Sequence, residues 1–170
     1  EISGNKFTVY AFYQDIIDEL WSRYMYPMGA RDGLYELKYE DPDDSTIIAS
    51  ADIPLRLFKV TTKDAVPTEV TSGQKVTITG TVTLLEEIID FSMRDYYDHL
   101  VYVWMVYVWN GDDIATSTSI SKAGTFSLTF NAYGAVGTEY YVTVQPLVSI
   151  TGTTYNGAPY FTITVKNPAS

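Results

Sequence analysis

Five carboxylates crowd the stretch Glu86, Glu87, Asp90, Asp95 and Asp98, and the only histidine of the chain, His99, follows directly. Two carboxyls can hydrolyse a glycosidic bond when fixed about 5–9 Å apart across a sugar-sized cleft. Here the acids alternate with Ile88, Ile89, Met93 and Tyr96 at close to helical spacing. Acids on one side of an amphipathic helix are usually solvated, and nothing in the sequence implies a cleft. His99 could serve a hydroxyl nucleophile only beside a serine and an oxyanion hole, and no nucleophile-elbow motif is present. A helix-end or loop position is its expected place. The second cluster, Asp41-Pro42-Asp43-Asp44-Ser45, packs hard oxygen ligands into one loop, as calcium sites do. It lacks the central Gly and terminal Glu of an EF-hand, so a solvated acidic turn opened by Asp-Pro is expected, with Asp41, Asp43 and Asp44 as the weak metal candidates. Asp112 and Asp113 after Gly111 are weaker still. No enzyme and no cofactor are expected, calcium being the one candidate.

Composition narrows the partners. The chain has 170 residues and a formal net charge of −10, which opposes phosphate contacts and therefore nucleic acid. An acidic lipid surface is disfavoured for the same reason. The absence of Cys excludes disulfides and thiolate metal sites. It fits an extracellular protein that relies on its core, although cytosolic proteins also lack Cys. The longest apolar run, Leu100 to Trp109, is about half the ~20 residues of a membrane span. No signal peptide is evident, and the start at Glu1 instead of Met is expected of a processed or trimmed chain. Every Asn fails the Asn-x-Ser/Thr test.

The elements that must position any site are mostly β. Lys75 to Leu84 alternates, with Val76, Ile78, Val82 and Leu84 on one face; Gly80 interrupts the row at a bulge or a close approach. Leu100 to Trp109 is apolar on both faces and reads as a central strand covered on both sides. Asn110-Gly111 predicts a type I′ hairpin turn into Asp113 to Ile120. Phe126, Leu128 and Phe130 share a face, as do Phe161, Ile163 and Val165, while Tyr140 to Ile150 forms the strand between. Ile53 to Val60 supplies a first strand. The expected core contains Phe126, Leu128, Phe130, Val142, Val144, Ile163 and Val165. Two stretches, Gln14 to Tyr26 and Glu86 to His99, carry helical spacing.

Residues 1–52 read as an N-terminal extension and 53–170 as the sandwich, with an insertion at 86–99. The extension is too small to fold alone, yet it contains Phe7-Thr8-Val9-Tyr10-Ala11-Phe12-Tyr13, an aromatic alternating strand that something must cover. Phe7, Val9, Ala11 and Tyr13 would enter a groove of a neighbouring subunit, or a short hairpin with Leu34 to Tyr39 would shelter them in the same chain. The 15 Tyr, 3 Trp and 7 Phe either fill the core or form a platform for carbohydrate or protein.

Three phrases, Val70 to Val82 (VTSGQKVTITGTV), Ala123 to Phe130 (AGTFSLTF) and Tyr140 to Val144 (YYVTV), resemble the immunoglobulin-like repeats of bacterial and archaeal surface proteins. The likeness covers about two thirds of the chain and implies an all-β, immunoglobulin-like antiparallel sandwich, with short helical insertions and an N-terminal extension. It carries no information on ligand. A sandwich with an extra N-terminal strand is also similar in architecture to the filament subunits of archaeal surface threads or pili, which join by strand donation. The resulting expectation is a structural subunit of an extracellular or cell-surface filament, self-associating through β-strand donation. The alternative is an adhesin-like or accessory binding module for carbohydrate or protein.

Overall fold

The computed structural model describes residues 2–3, 6–7, 32–85, 104–121, 123–146 and 154–167. The helices expected at 14–26 and 86–99, and the Phe7–Tyr13 strand beyond Phe7, lie outside those residues. Within them the protein is all-β. Strands β1 (Ile2–Ser3) and β2 (Lys6–Phe7) pair antiparallel. Strands β3 (Gly33–Glu40) and β4 (Ile47–Leu55) form a separate two-stranded ribbon.

The remaining strands build two sheets. The first has the order β10 (Thr125–Ala132), β7 (Gln74–Leu84), β5 (Phe58–Thr62). The second runs β6 (Glu69–Thr71), β12 (Phe161–Lys166), β11 (Glu139–Pro146), β8 (Trp104–Asn110), β9 (Asp113–Ser119). All pairings are antiparallel except β6 with β12. Consecutive strands β5 and β6 belong to opposite sheets, so the chain crosses from one layer to the other early. This connectivity is compatible with an immunoglobulin-like sandwich.

The core forms because the strands alternate. In β10 every second residue is buried, placing Phe126, Leu128 and Phe130 inward and the hydroxyl residues outward. Val76, Ile78 and Val82 of β7 face Val106, Val108, Val142, Val144, Ile163 and Val165 across the interlayer space. Aromatic contacts tie the layers together: Phe58 meets Trp104 edge-on at 4.7 Å, and Phe130 lies 5.2 Å from Tyr140. The Tyr140 hydroxyl donates back to the Tyr133 carbonyl at 2.7 Å, the tyrosine-corner contact of Greek-key sandwiches.

β8 is buried on both faces, as its unbroken apolar sequence predicts. Trp104, Val106 and Val108 face the interlayer core, whereas Tyr107 and Trp109 are buried on the other side. There the Trp109 indole donates to Thr143 Oγ1 at 2.9 Å. Thr143 donates on to Gln145 at 2.7 Å, and the Gln145 amide donates to the Thr154 carbonyl at 2.7 Å. The polar atoms of Trp109, Thr143 and Gln145 are thus satisfied as one connected chain.

Two local expectations change, and at Gly80 the close approach, not the bulge, is found. Ile53 to Val60 is not one strand: β4 ends at Leu55, β5 begins at Phe58, and the two join different sheets. The β8–β9 hairpin exists, but its loop residues are Gly111 and Asp112, with positive φ at Gly111 alone (61°). That is the φ pattern of a type II′ turn, with glycine first, and not of type I′. At Gly80 the ladder passes without a bulge, because the β7 backbone closely approaches Thr61 and the Phe126 ring.

Candidate interaction surface

The β3–β4 ribbon is fastened at its foot and carries exposed apolar side chains above it. At the foot, Leu34 N donates to the Asn156 carbonyl at 2.9 Å, and the Asn156 amide donates to the Asp32 carbonyl at 3.0 Å. Asn156 Oδ1 accepts from Ala158 N at 3.0 Å. Asp32 is the anchor: it is only 3% exposed, and its Oδ1 accepts from Leu57 N at 2.5 Å. The Tyr160 hydroxyl lies against Asp32 Oδ2 and 3.0 Å from the Phe58 carbonyl.

Arg56 spans the same junction. Its guanidinium donates to the Ala158 and Pro159 carbonyls and lies 4.3 Å above the Tyr160 ring. These contacts hold the chain at the point where β4 gives way to β5. The guanidinium is therefore committed to carbonyls and a ring. The ion pairs among the described residues, Lys38–Glu36 and Lys166–Glu69, do not include Asp32. Burial pushes the Asp32 carboxyl up to about 7 against the lowering pull of Tyr160, Leu57 N and Arg56. The same burial, with the facing Asp32, raises the Tyr160 phenol.

Above the foot, the register puts Tyr35, Leu37 and Tyr39 opposite Ile53, Ala51 and Ala49, so these six share one face. Leu37 and Tyr39 are each 40% exposed, and Ile48, the extra residue at the bulge, is 55% exposed. The opposite face carries Glu36, Lys38, Ser50 and Asp52. Lys38 pairs with Glu36 at 3.0 Å and, with a hydrogen bond, holds that carboxyl below its usual range. The outer edges of β3 and β4 pair with no other strand among the described residues.

The residues singled out by sequence fall in three places. Phe7 ends β2, paired with Ile2, and Val9, Ala11 and Tyr13 lie outside the described residues. Glu86, Glu87, Asp90, Asp95, Asp98 and His99 lie outside them as well. Asp41, Asp43 and Asp44 form the exposed tip of the ribbon. There Asp41 Oδ1 accepts from Asp43 N and Asp44 Oδ1 from Thr46 N, each at 2.9 Å. The hydrogen bonds from Thr46 hold the Asp44 carboxyl low. Two carboxylates are thus engaged in closing the turn, and no group of three or more His, Asp or Glu converges as metal ligands among the described residues. Asp112 and Asp113 occupy the β8–β9 hairpin.

Sequence reading missed Asp32, Arg56, Asn156 and Tyr160. Their contacts span more than a hundred positions, and no local pattern marks them. One signal was available: Asn156-Gly157-Ala158-Pro159 is a turn sequence directly before a strand, where backbone carbonyls need partners.

A second feature lies on the outer face of the five-stranded sheet. The Tyr141 and Tyr155 rings stack at 5.0 Å and 21°, with Trp109 6.0 Å from Tyr155. The Tyr141 hydroxyl donates to Glu139, a bond that pushes the phenol up to about 12.

No protein-family model matches the chain, and a search of curated proteins finds no match. No helix among the described residues is long and apolar enough to cross a membrane.

Proposed function

We propose that the protein is a non-catalytic structural subunit of an extracellular or cell-surface assembly, joined to its neighbours by β-strand pairing. The observation that supports this reading is the β3–β4 ribbon. A two-stranded ribbon is marginal in water unless a further strand or a packed surface covers it. This one stands beside a packed sandwich core, with Leu37 and Ile48 exposed and with outer edges that pair with no other strand among the described residues. An exposed edge beside apolar side chains is a template for strand addition. The donor is the N-terminal segment Phe7 to Tyr13, whose Phe7, Val9, Ala11 and Tyr13 repeat on one side and would lie along a neighbour's ribbon. Burying three large side chains contributes about 1.5–3 kcal/mol each before ordering costs.

Electron microscopy and sedimentation of the full-length chain test the reading. Concentrated protein should form polymers, deletion of residues 1–13 should abolish them, and a peptide of residues 1–13 added in trans should bind the truncated chain. A full-length chain that stays monomeric at millimolar concentration overturns the proposal.

The Tyr141–Tyr155 pair beside Glu139 favours a second reading, a binding module that stacks sugar rings on tyrosine and bonds their hydroxyls to a carboxylate. A fluorescence titration with soluble oligosaccharides, compared with Tyr155→Ala, separates it from the first reading.

A further inference from the structure

The foot of the ribbon contains one phenol proton and two acceptors for it. Tyr160 Oη lies within hydrogen-bond reach of both Asp32 Oδ2 and the Phe58 carbonyl. A neutral Asp32 resolves the conflict: its own Oδ2–H donates to Tyr160 Oη, and the Tyr160 hydroxyl donates to Phe58 O. Oδ1 remains free to accept from Leu57 N. An ionised Asp32 draws the phenol hydrogen bond to itself and away from Phe58 O, and it places a negative charge in a buried site with no ion pair to it among the described residues. Burial disfavours that state by more than the nearby Arg56, whose guanidinium is bonded to carbonyls, offsets.

The position of this carboxyl gives the proton a mechanical consequence. Asp32 immediately precedes β3, and its partners Leu57, Phe58 and Tyr160 belong to the sandwich side of the junction. The groups that face it are Arg56 from the segment between β4 and β5 and Tyr160 ahead of β12. On β3 itself, Tyr35 packs against the core. We propose that Asp32 is a proton-operated latch: as the neutral acid it fastens the foot of the β3–β4 ribbon to the sandwich, and as the carboxylate it holds that foot more weakly.

The sign follows from linkage. An open foot exposes Asp32 to water, where it ionises near its ordinary value of 3.8, whereas in the closed foot it keeps its proton to about 7. Opening therefore becomes easier as pH rises between those values and stops changing above them. Acid tightens the ribbon, and neutral pH leaves it at its loosest. The consequence for assembly, that pH sets how the ribbon is presented to a neighbour, rests on the function proposed above; the latch itself does not.

Hydrogen exchange of the full-length chain, expressed as protection factors across pH 4.5 to 8.5, reads the latch directly. The reporters are the amides of Leu34 and Leu57, which donate across the junction, with Val142 in β11 as the control. Protection of the two reporters should fall by up to about tenfold per pH unit below pH 7 and level off above it, while Val142 keeps its protection. In Asp32→Asn, whose amide donates to Tyr160 while its Oδ1 accepts from Leu57 N, the dependence should vanish. Flat reporter profiles in the wild type overturn the latch, as does an unchanged slope in the variant. Should Asp32→Asn fail to fold, a carboxyl-carbon NMR titration of wild-type Asp32 decides: an ordinary acidic midpoint overturns the proposal, and a midpoint near neutrality that tracks the reporter amides supports it. Sedimentation at the same pH values separates the two proposals, because a latch in a chain that never self-associates leaves this inference standing and removes the assembly.

Discussion

Single atoms decide two positions in the first sheet. At Gly80 a methyl group would sit 2.4 Å from the Thr61 carbonyl oxygen and 3.1 Å from the Phe126 ring. Gly80→Ala must therefore move backbone, and overpacking of this kind costs about 1–3 kcal/mol. Denaturant titration should show a midpoint lowered to match, with an unchanged slope. Phe130 presents the opposite case. It is buried between the layers against Tyr140, so Phe130→Ala empties a site that cannot fully collapse, at a cost of about 3–5 kcal/mol. An unchanged midpoint in this variant would place the β10 register the other way round.

Among the elements, the ribbon differs most from the rest of the chain. β10 and β7 gain stability from a buried face, whereas β3 and β4 pair only with each other among the described strands and keep Leu37 and Ile48 exposed. Their tip is closed locally: Asp41 N donates to the Thr46 carbonyl and Ser45 N to the Asp41 carbonyl, each at 2.8 Å, with Ser45 at a φ of 61°. The Asp41 and Asp44 carboxylates bond backbone amides within this turn, which leaves them poorly placed for an ion. EDTA should accordingly leave the melting temperature unchanged, and added calcium should not raise it. A calcium-dependent rise of several degrees would show that a native-state ligand had been missed. Asp44→Ala should instead loosen the tip, read as faster exchange at Thr46 N with the sandwich amides unaffected.

For the molecule as a whole, Asp32 sets a pH dependence of opposite sign to that of an ordinary paired carboxylate. The folded state keeps a proton to about pH 7 that the unfolded chain loses near 3.8. The native state binds more protons between those values, so the share of stability from Asp32 is largest in acid, falls as pH rises through that window, and is constant above it. Asp44 and Glu36, held low by hydrogen bonds, work in the other direction at the acid end. Calorimetry of the wild type against Asp32→Asn isolates the Asp32 share. The difference in unfolding free energy should widen in favour of the variant from pH 4 to pH 7 and then stay constant, with a span on the order of a few kcal/mol.

The amino-acid sequence alone determined the sandwich strands, because a strand with one dry face must alternate. Thr125 to Phe130 and Phe161 to Val165 could bury their apolar residues in only one register, and that register is observed. The unbroken apolar run at Trp104 to Trp109 likewise required cover on both faces. Tertiary structure decided the rest. Nothing local in Ile47-Ile48-Ala49-Ser50-Ala51-Asp52 announces a strand, since neither face is dry and the pairing with β3 fixes its conformation. The break at Arg56 and Leu57, within a stretch that reads as one strand, exists because the guanidinium finds carbonyls at Ala158 and Pro159. The charge state of Asp32 depends on Tyr160, 128 positions away. A carboxyl that looks like one more solvated acid in the sequence is buried by the fold, and that enclosure, outweighing the pull of Arg56, raises its affinity for a proton.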